Sequence, residues 1–143
     1  MAEIVLDANV LVGMLDAGDV HHERAKALVE RLRDDGHSTV LLDVLVGEAV
    51  SVLCRRQDRR NRPPELASGV ELVRQWFRAG DVTSVQAEAT RLGEDVLGVV
   101  LATQGALNFN DSLLVVLQRE GAIDSVASFD QGFDQVEEFR RVE

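Results

Sequence analysis

The chain has one cysteine, Cys54, so no disulfide can form within it. Cysteine this scarce suits a reducing compartment, and a cytoplasmic location is expected. Cys54 lies in an apolar helical stretch, where a small core residue is expected rather than a nucleophile. Lysine is almost missing as well: Lys26 stands alone. Any chemistry that grips phosphate with a lysine therefore has a single candidate. Uncharged apolar runs are far too short to span a bilayer, so no membrane role is expected. No basic segment followed by an apolar one opens the sequence, and no signal peptide is expected. No His/Cys set has zinc spacing.

What is present is ordinary in bulk. The 143 residues are 45% hydrophobic and 28% charged, as expected for a single globular domain over 1–143. The net charge of −10 argues against binding nucleic acid through the overall field. That charge is uneven, however. Residues 55–62 read RRQDRRNR, five Arg and one Asp, which leaves −14 on the remainder. Arg55, Arg56, Arg59 and Arg60 could hold a polyanionic strand or simply form a solvated face.

The first stretch organises the rest. Ile4, Val5 and Leu6 are a continuous apolar run, suited to a strand buried on both faces. The run stops at Asp7, and Asn9 follows before a helix through Leu15. Asp7 or Asn9 could cap that helix or face a ligand at the strand's carboxyl end. A second helix follows Asp19, with His21 and His22 expected to face solvent. A strand is expected over 39–42, and then a helix capped by Asp43 and running to about Arg59. Within that helix Glu48 interrupts the stripe of Leu45, Ala49 and Val52. A carboxylate on an apolar face costs several kcal/mol unless paired, protonated or metal-bound.

Pro63-Pro64 open a fourth helix whose inner face is read as Leu66, Val70, Val73 and Phe77, with Trp76 alongside. A strand over 82–85 and one helix over 86–104 come next. Asn110-Asp111-Ser112 marks another helix start. A strand over 125–129 ends at Asp130, as the first ended at Asp7, and an edge strand is expected within 138–142. This alternation is α/β, built on a small parallel sheet.

Asp7, Asp111 and Asp130 would share the edge where strands end and helices begin. Glu48 joins them if its helix packs across that edge. Two carboxylates about 4 Å apart repel by roughly 4 kcal/mol at an effective dielectric near 20. Four cannot stay ionised together without cations. Oxygen ligands with no soft donors favour Mg²⁺ or Mn²⁺. Ions held this way are suited to phosphodiester hydrolysis.

The stretches LDANVLV, the lone Glu in the third helix, NDSLL and SFDQGF occur in that order. Together they resemble a PIN domain, and the small size is similar to VapC-type toxins of toxin–antitoxin pairs. The resemblance covers essentially the whole chain. It implies a three-layer sandwich, with a parallel sheet of four to five strands flanked by helices. It also implies a Mg²⁺- or Mn²⁺-dependent endoribonuclease acting on RNA, a cognate antitoxin protein and a homodimer. Asp7, Glu48, Asp111 and Asp130 would be its catalytic, metal-holding quartet, with Asn9 and Ser128 in support. Asn9 is not separated here from a helix cap. Asp134 is a candidate auxiliary acid, although an exposed turn residue is the plainer reading.

Two other functions compete. A phosphatase of the haloacid dehalogenase type would use Asp7 as nucleophile. Asn9, however, stands where that family needs a second acid, and Lys26 is poorly placed for its lysine. A PIN-like domain that binds RNA without cutting it is the other.

Overall fold

The computed structural model describes residues 2–57 and 66–143. In chain order the elements are β1 (Glu3–Leu6), α1 (Ala8–Leu15), α2 (His22–Asp34), β2 (Ser38–Leu42) and α3 (Asp43–Gln57). Then come α4 (Leu66–Ala79), β3 (Val82–Thr83), α5 (Gln86–Arg91), α6 (Gly93–Ala102) and α7 (Phe109–Arg119). The chain closes with β4 (Ser125–Ala127), a 3-10 turn (Gln131–Gln135) and β5 (Arg141–Val142).

The strands form one sheet in the order β3-β2-β1-β4-β5, flanked by helices. Every pairing is parallel: Val5 lies opposite Val40 and Val126, Leu41 opposite Val82, and Ala127 opposite Val142. The α/β sheet expected from the pattern is therefore present. β1 is central, which is why Ile4, Val5 and Leu6 are all buried without alternation. The chain moves outward from β1 through β2 to β3, then returns to place β4 on the other side of β1. The strand order thus reverses between β1 and β4. Crevices at such reversals, beyond the strands' carboxyl ends, are where α/β sheets bind ligands.

Helices pack on this frame through their apolar faces. α1 and α2 meet at Gly13, where a β-carbon would lie 2.7 Å from Ala25 Cβ and 3.2 Å from the His21 carbonyl oxygen. The approach also brings His22 Nδ1 within 2.7 Å of the Gly13 carbonyl, to which its N–H donates. His22 and His21 are therefore half-buried, not solvent-facing as expected.

Several other expectations shift. Cys54 is exposed. It follows Leu53 on α3, and the inward stripe is Leu45, Val46, Ala49 and Leu53. On α4 the buried positions are Gly69 and Val73, with Trp76 half-buried and Phe77 57% exposed. The inner face is therefore rotated from the one expected. The single helix expected over 86–104 is two, because the chain turns at Leu92, whose side chain is buried. β3 and β4 are shorter than expected: Val85 turns away so that its N–H reaches Asp43 Oδ1 at 3.1 Å. Among the described residues no helix is long and apolar enough to cross a membrane.

α7 is buried on all sides from Asp111 to Gln118. Gln118 ends that run and ties down the chain's last strands. Its Nε2 donates to the Asp124 carbonyl at 2.7 Å and the Arg140 carbonyl at 3.2 Å, and its Oε1 accepts from Arg140 N at 2.9 Å. Gln118→Leu would strand these backbone groups, at about 1–3 kcal/mol for a buried unsatisfied group. Urea unfolding of Gln118→Leu is expected to show that loss with an unchanged m-value. An unchanged midpoint would mean water satisfies these groups instead.

Candidate active site

Asp7 follows β1 directly, and its N–H extends the sheet to the Ala127 carbonyl at 3.0 Å. Its two oxygens do different work. Oδ1 accepts from Ala8 N at 2.8 Å and caps α1. Oδ2 accepts from Ser128 Oγ at 2.6 Å and from Asn9 Nδ2 at 3.3 Å. The choice between cap and site residue is thus not exclusive for Asp7. Asn9 is no cap: its Nδ2 also donates to Ser128 Oγ at 3.0 Å, and its Oδ1 accepts from Phe129 N at 3.1 Å. It stitches the β1–α1 junction to the end of β4.

Ser128 Oγ in turn accepts from Asp130 N at 3.0 Å. Asp130 caps the 3-10 turn through Gly132 N, 2.8 Å from its Oδ1. A β-carbon at Gly132 would come within 2.9 Å of that same oxygen. Asp111 is the third residue of α7 in a capping box. Its N–H donates to Asn108 Oδ1 at 2.9 Å, and its Oδ2 accepts from Asn108 N at 3.1 Å. Glu48, half-buried on α3, accepts from Asn110 Nδ2 at 3.0 Å.

All four acids line one cleft of about 410 Å³, together with Asn9, Val20, His21, Val52 and Arg56. α3 does cross the sheet edge, as Glu48 required. Glu48 Oε1, Asp111 Oδ1 and Asp130 Oδ2 accept no hydrogen bond from the described residues. A larger hollow of about 670 Å³ between α6, α7 and the 3-10 turn also carries acids. Those acids, Glu94, Asp95, Glu120, Glu137 and Glu138, stand on exposed positions, and none belongs to the candidate site.

The electrostatics of the cleft are unfavourable to its own charge. Burial lifts Asp7 to about 6 despite the hydrogen bonds from Ser128 and Ala8, and the charges of Glu48 and Asp130 add to the rise. Burial lifts Asp111 to about 7 against the Asn108 hydrogen bond, with Asp7, Asp130 and Glu48 again adding to it. An all-oxygen donor set under mutual repulsion has the chemistry that suits a hard divalent cation. The carboxylates are not drawn onto one point. Among the described residues, no three Asp, Glu, His or Cys groups are placed to hold a metal ion.

The arginines divide. Arg55 is exposed, and Arg59 and Arg60 lie outside the described residues. Arg56 lines the cleft but is occupied: its Nη1 donates to Asp16 Oδ2 at 2.9 Å and Asp19 Oδ1 at 2.7 Å. Both aspartate side chains are buried, so this pair fixes the α1–α2 loop to α3. Asp19 is not the cap of α2; its Oδ2 accepts from His21 N at 2.9 Å. Asp134 is exposed and held by Arg141 at 3.1 and 3.0 Å, outside the cleft. Its lowered pKa reflects that hydrogen-bonded guanidinium.

Asn110, Asp16 and Asp19 are neighbours of the site that local pattern does not expose. Asn110 reads as one more cap-competent residue, and its reach to Glu48 depends on α3 lying beside α7. The loop acids read as surface turn residues until Arg56 is placed against them.

A parallel sheet with acids gathered at its order reversal defines a class of α/β proteins with a cleft whose carboxylates suit an electropositive ligand. Within that class the identity is specific. The family model of the PIN domain matches residues 4–139, and the chain belongs to the PIN domain family. PIN domains are generally nucleases and typically use divalent metals. Comparison with curated proteins finds none that matches.

Proposed function

We propose that the protein is a Mg²⁺- or Mn²⁺-dependent endoribonuclease, the toxin of a VapBC-type toxin–antitoxin pair. The observation that supports this best is the gathering of Asp7, Glu48, Asp111 and Asp130 around one cleft. In this reading the four carboxylates would hold the cation, closing on it from the wider spacing they have without it. When bound, it supplies Lewis acidity for the attacking water and the phosphoryl oxygens. The protein's own part is orientation. Ser128 and Asn9 fix Asp7, Asn110 fixes Glu48, Asn108 fixes Asp111 and the Gly132 N–H fixes Asp130. The unengaged oxygens of Glu48, Asp111 and Asp130 are then free to serve the ligand.

The reading extends to a single domain over 1–143, a cytoplasmic location, a homodimer and a cognate antitoxin protein. A reading frame beside this one that encodes a small protein with a DNA-binding N-terminus would support the pairing. The phosphatase alternative is weakened by Asn9, whose amide is used up between Asp7, Ser128 and Phe129. Lys26 is exposed on α2.

The test is incubation of antitoxin-free protein with structured RNA and Mg²⁺ or Mn²⁺. The wild-type chain is expected to cut internally. Glu48→Gln is expected to lose about a hundredfold or more, beyond the 10–100-fold typical of second-layer changes at metal sites. Equal cutting by Glu48→Gln would sink the site assignment. No cutting across diverse RNAs would favour the domain that binds without cleaving.

A further inference from the structure

We propose that Val20 and His21 form a nucleobase subsite, stacking the base next to the phosphate that a cation held by the four carboxylates would take. The inference rests on the nuclease reading and adds to it how the strand is held. The cleft of about 410 Å³ falls within the roughly 300–1,000 Å³ range of small-molecule sites. One wall carries an apolar and an aromatic side chain beside an aspartate already engaged by Arg56. Val20 lines it with an apolar side chain that is 87% exposed, and His21 presents an imidazole ring beside it.

This wall is held rigid from behind. The His21 ring packs against Phe129 at 5.0 Å between centroids, tilted by 38°. The Arg24 guanidinium carbon lies 4.4 Å from the Phe129 centroid. Asp19 accepts from the backbone N–H of His21, and Arg56 clamps Asp19 and Asp16 to α3. Phe129 is one residue from Asp130, so the ring stack and the acid cluster share a support. None of this is required to gather carboxylates.

Charge balance points the same way. The cleft is lined by Asp7, Asp19, Glu48, Asp111 and Asp130, and Arg56 is already committed to two aspartates. Among the described lining residues, no cation is left over to attract phosphate. An uncharged contact at this wall adds affinity that the described lining side chains do not supply by charge. A π-face against an imidazole supplies one, and stacking tolerates any base.

The test uses fluorescence anisotropy in the Glu48→Gln background, with a short single-stranded RNA and the same RNA made abasic throughout. His21→Leu is expected to weaken binding of the intact RNA about tenfold. It should leave the weaker binding of the abasic RNA unchanged, and His21→Phe should restore the intact RNA. Matching thermal midpoints exclude a folding defect in either variant. Equal losses on both RNAs, no loss on either, or equal binding of both by the parent would overturn the subsite. Wild-type cleavage is scored separately. Cleavage without a His21 effect removes the subsite alone. A base-dependent His21 effect without cleavage removes the nuclease reading alone.

Discussion

Asp111→Asn is expected to end RNA cleavage while making the metal-free protein more stable at pH 8. The two effects have one origin. Burial and the charges of Asp7, Asp130 and Glu48 hold Asp111 at about 7, so at pH 8 it is ionised against its surroundings. An asparagine oxygen can still accept from Asn108 N, which keeps the start of α7 in place. What leaves is a negative charge. Asp111 is only 9% exposed but lines the open cleft, where water can screen its charge, so the relief is on the order of 1 kcal/mol. That corresponds to a thermal midpoint roughly 2–4 °C higher. Cleavage is expected to fall by about a hundredfold or more, since one of four carboxylates available to a cation is gone. Functional sites that cost stability in this way are common. A fall in both activity and midpoint would recast Asp111 as a structural cap.

A second large effect is expected on pH. In the metal-free protein, stability should decline as pH rises from 5 to 8. Asp7 and Asp111 stand at about 6 and about 7 in the folded chain, against 3.8 unfolded. Between those values the folded state binds more protons than the unfolded state, so stability falls with rising pH. The contribution is complete below 3.8 and is lost as pH passes 6 to 7. For Asp7 alone, a shift of that size corresponds to about 3 kcal/mol in full, of which roughly half is still present at pH 5. Asp134 and Glu143, whose carboxyls the Arg141 guanidinium holds below their ordinary values, act in the opposite sense. Urea titrations at pH 5 and pH 8 read the difference. Millimolar Mg²⁺ should restore stability at pH 8 and do little at pH 5, where protons already occupy the carboxylates. Equal stability at both pH values without metal would show that the cleft is better solvated than its burial implies.

Much of the frame was legible because it rests on short-range pattern. A short Ile-Val-Leu run of β-branched and aliphatic side chains, ended by an acid, suits the middle of a parallel sheet. An acid placed at its end, and another after Val126-Ala127, marks one edge of that sheet. Glu48 was legible as an interruption, a charge where the helix stripe required an apolar side chain. What pattern could not supply was phase and long-range pairing. Trp76 and Phe77 are adjacent and both aromatic, so a rotation of α4 by one position exchanges them without changing the periodicity. Cys54 is apolar enough for either face. Leu92 and Gly93 read as one more turn of helix, although the chain bends there. Arg56 looked like part of a basic surface because its partners, Asp16 and Asp19, lie some forty positions away. His21 looked like solvent decoration until Phe129 was found behind it.

The contact between Ser128 and Asp7 joins residues 121 positions apart. It sets a clock on the protein's own synthesis. At about 5–20 residues per second, Asp7 is added some 6–24 seconds before Ser128. Through that interval β1 has no β4 beside it, and the cleft has neither Asp130 nor the ring of Phe129. A growing chain thus carries three of its four acids without a site to put them in. β4 and the turn after it, secured by Gln118, complete the cleft, so the four acids come together only once Ser128 and Asp130 have been added.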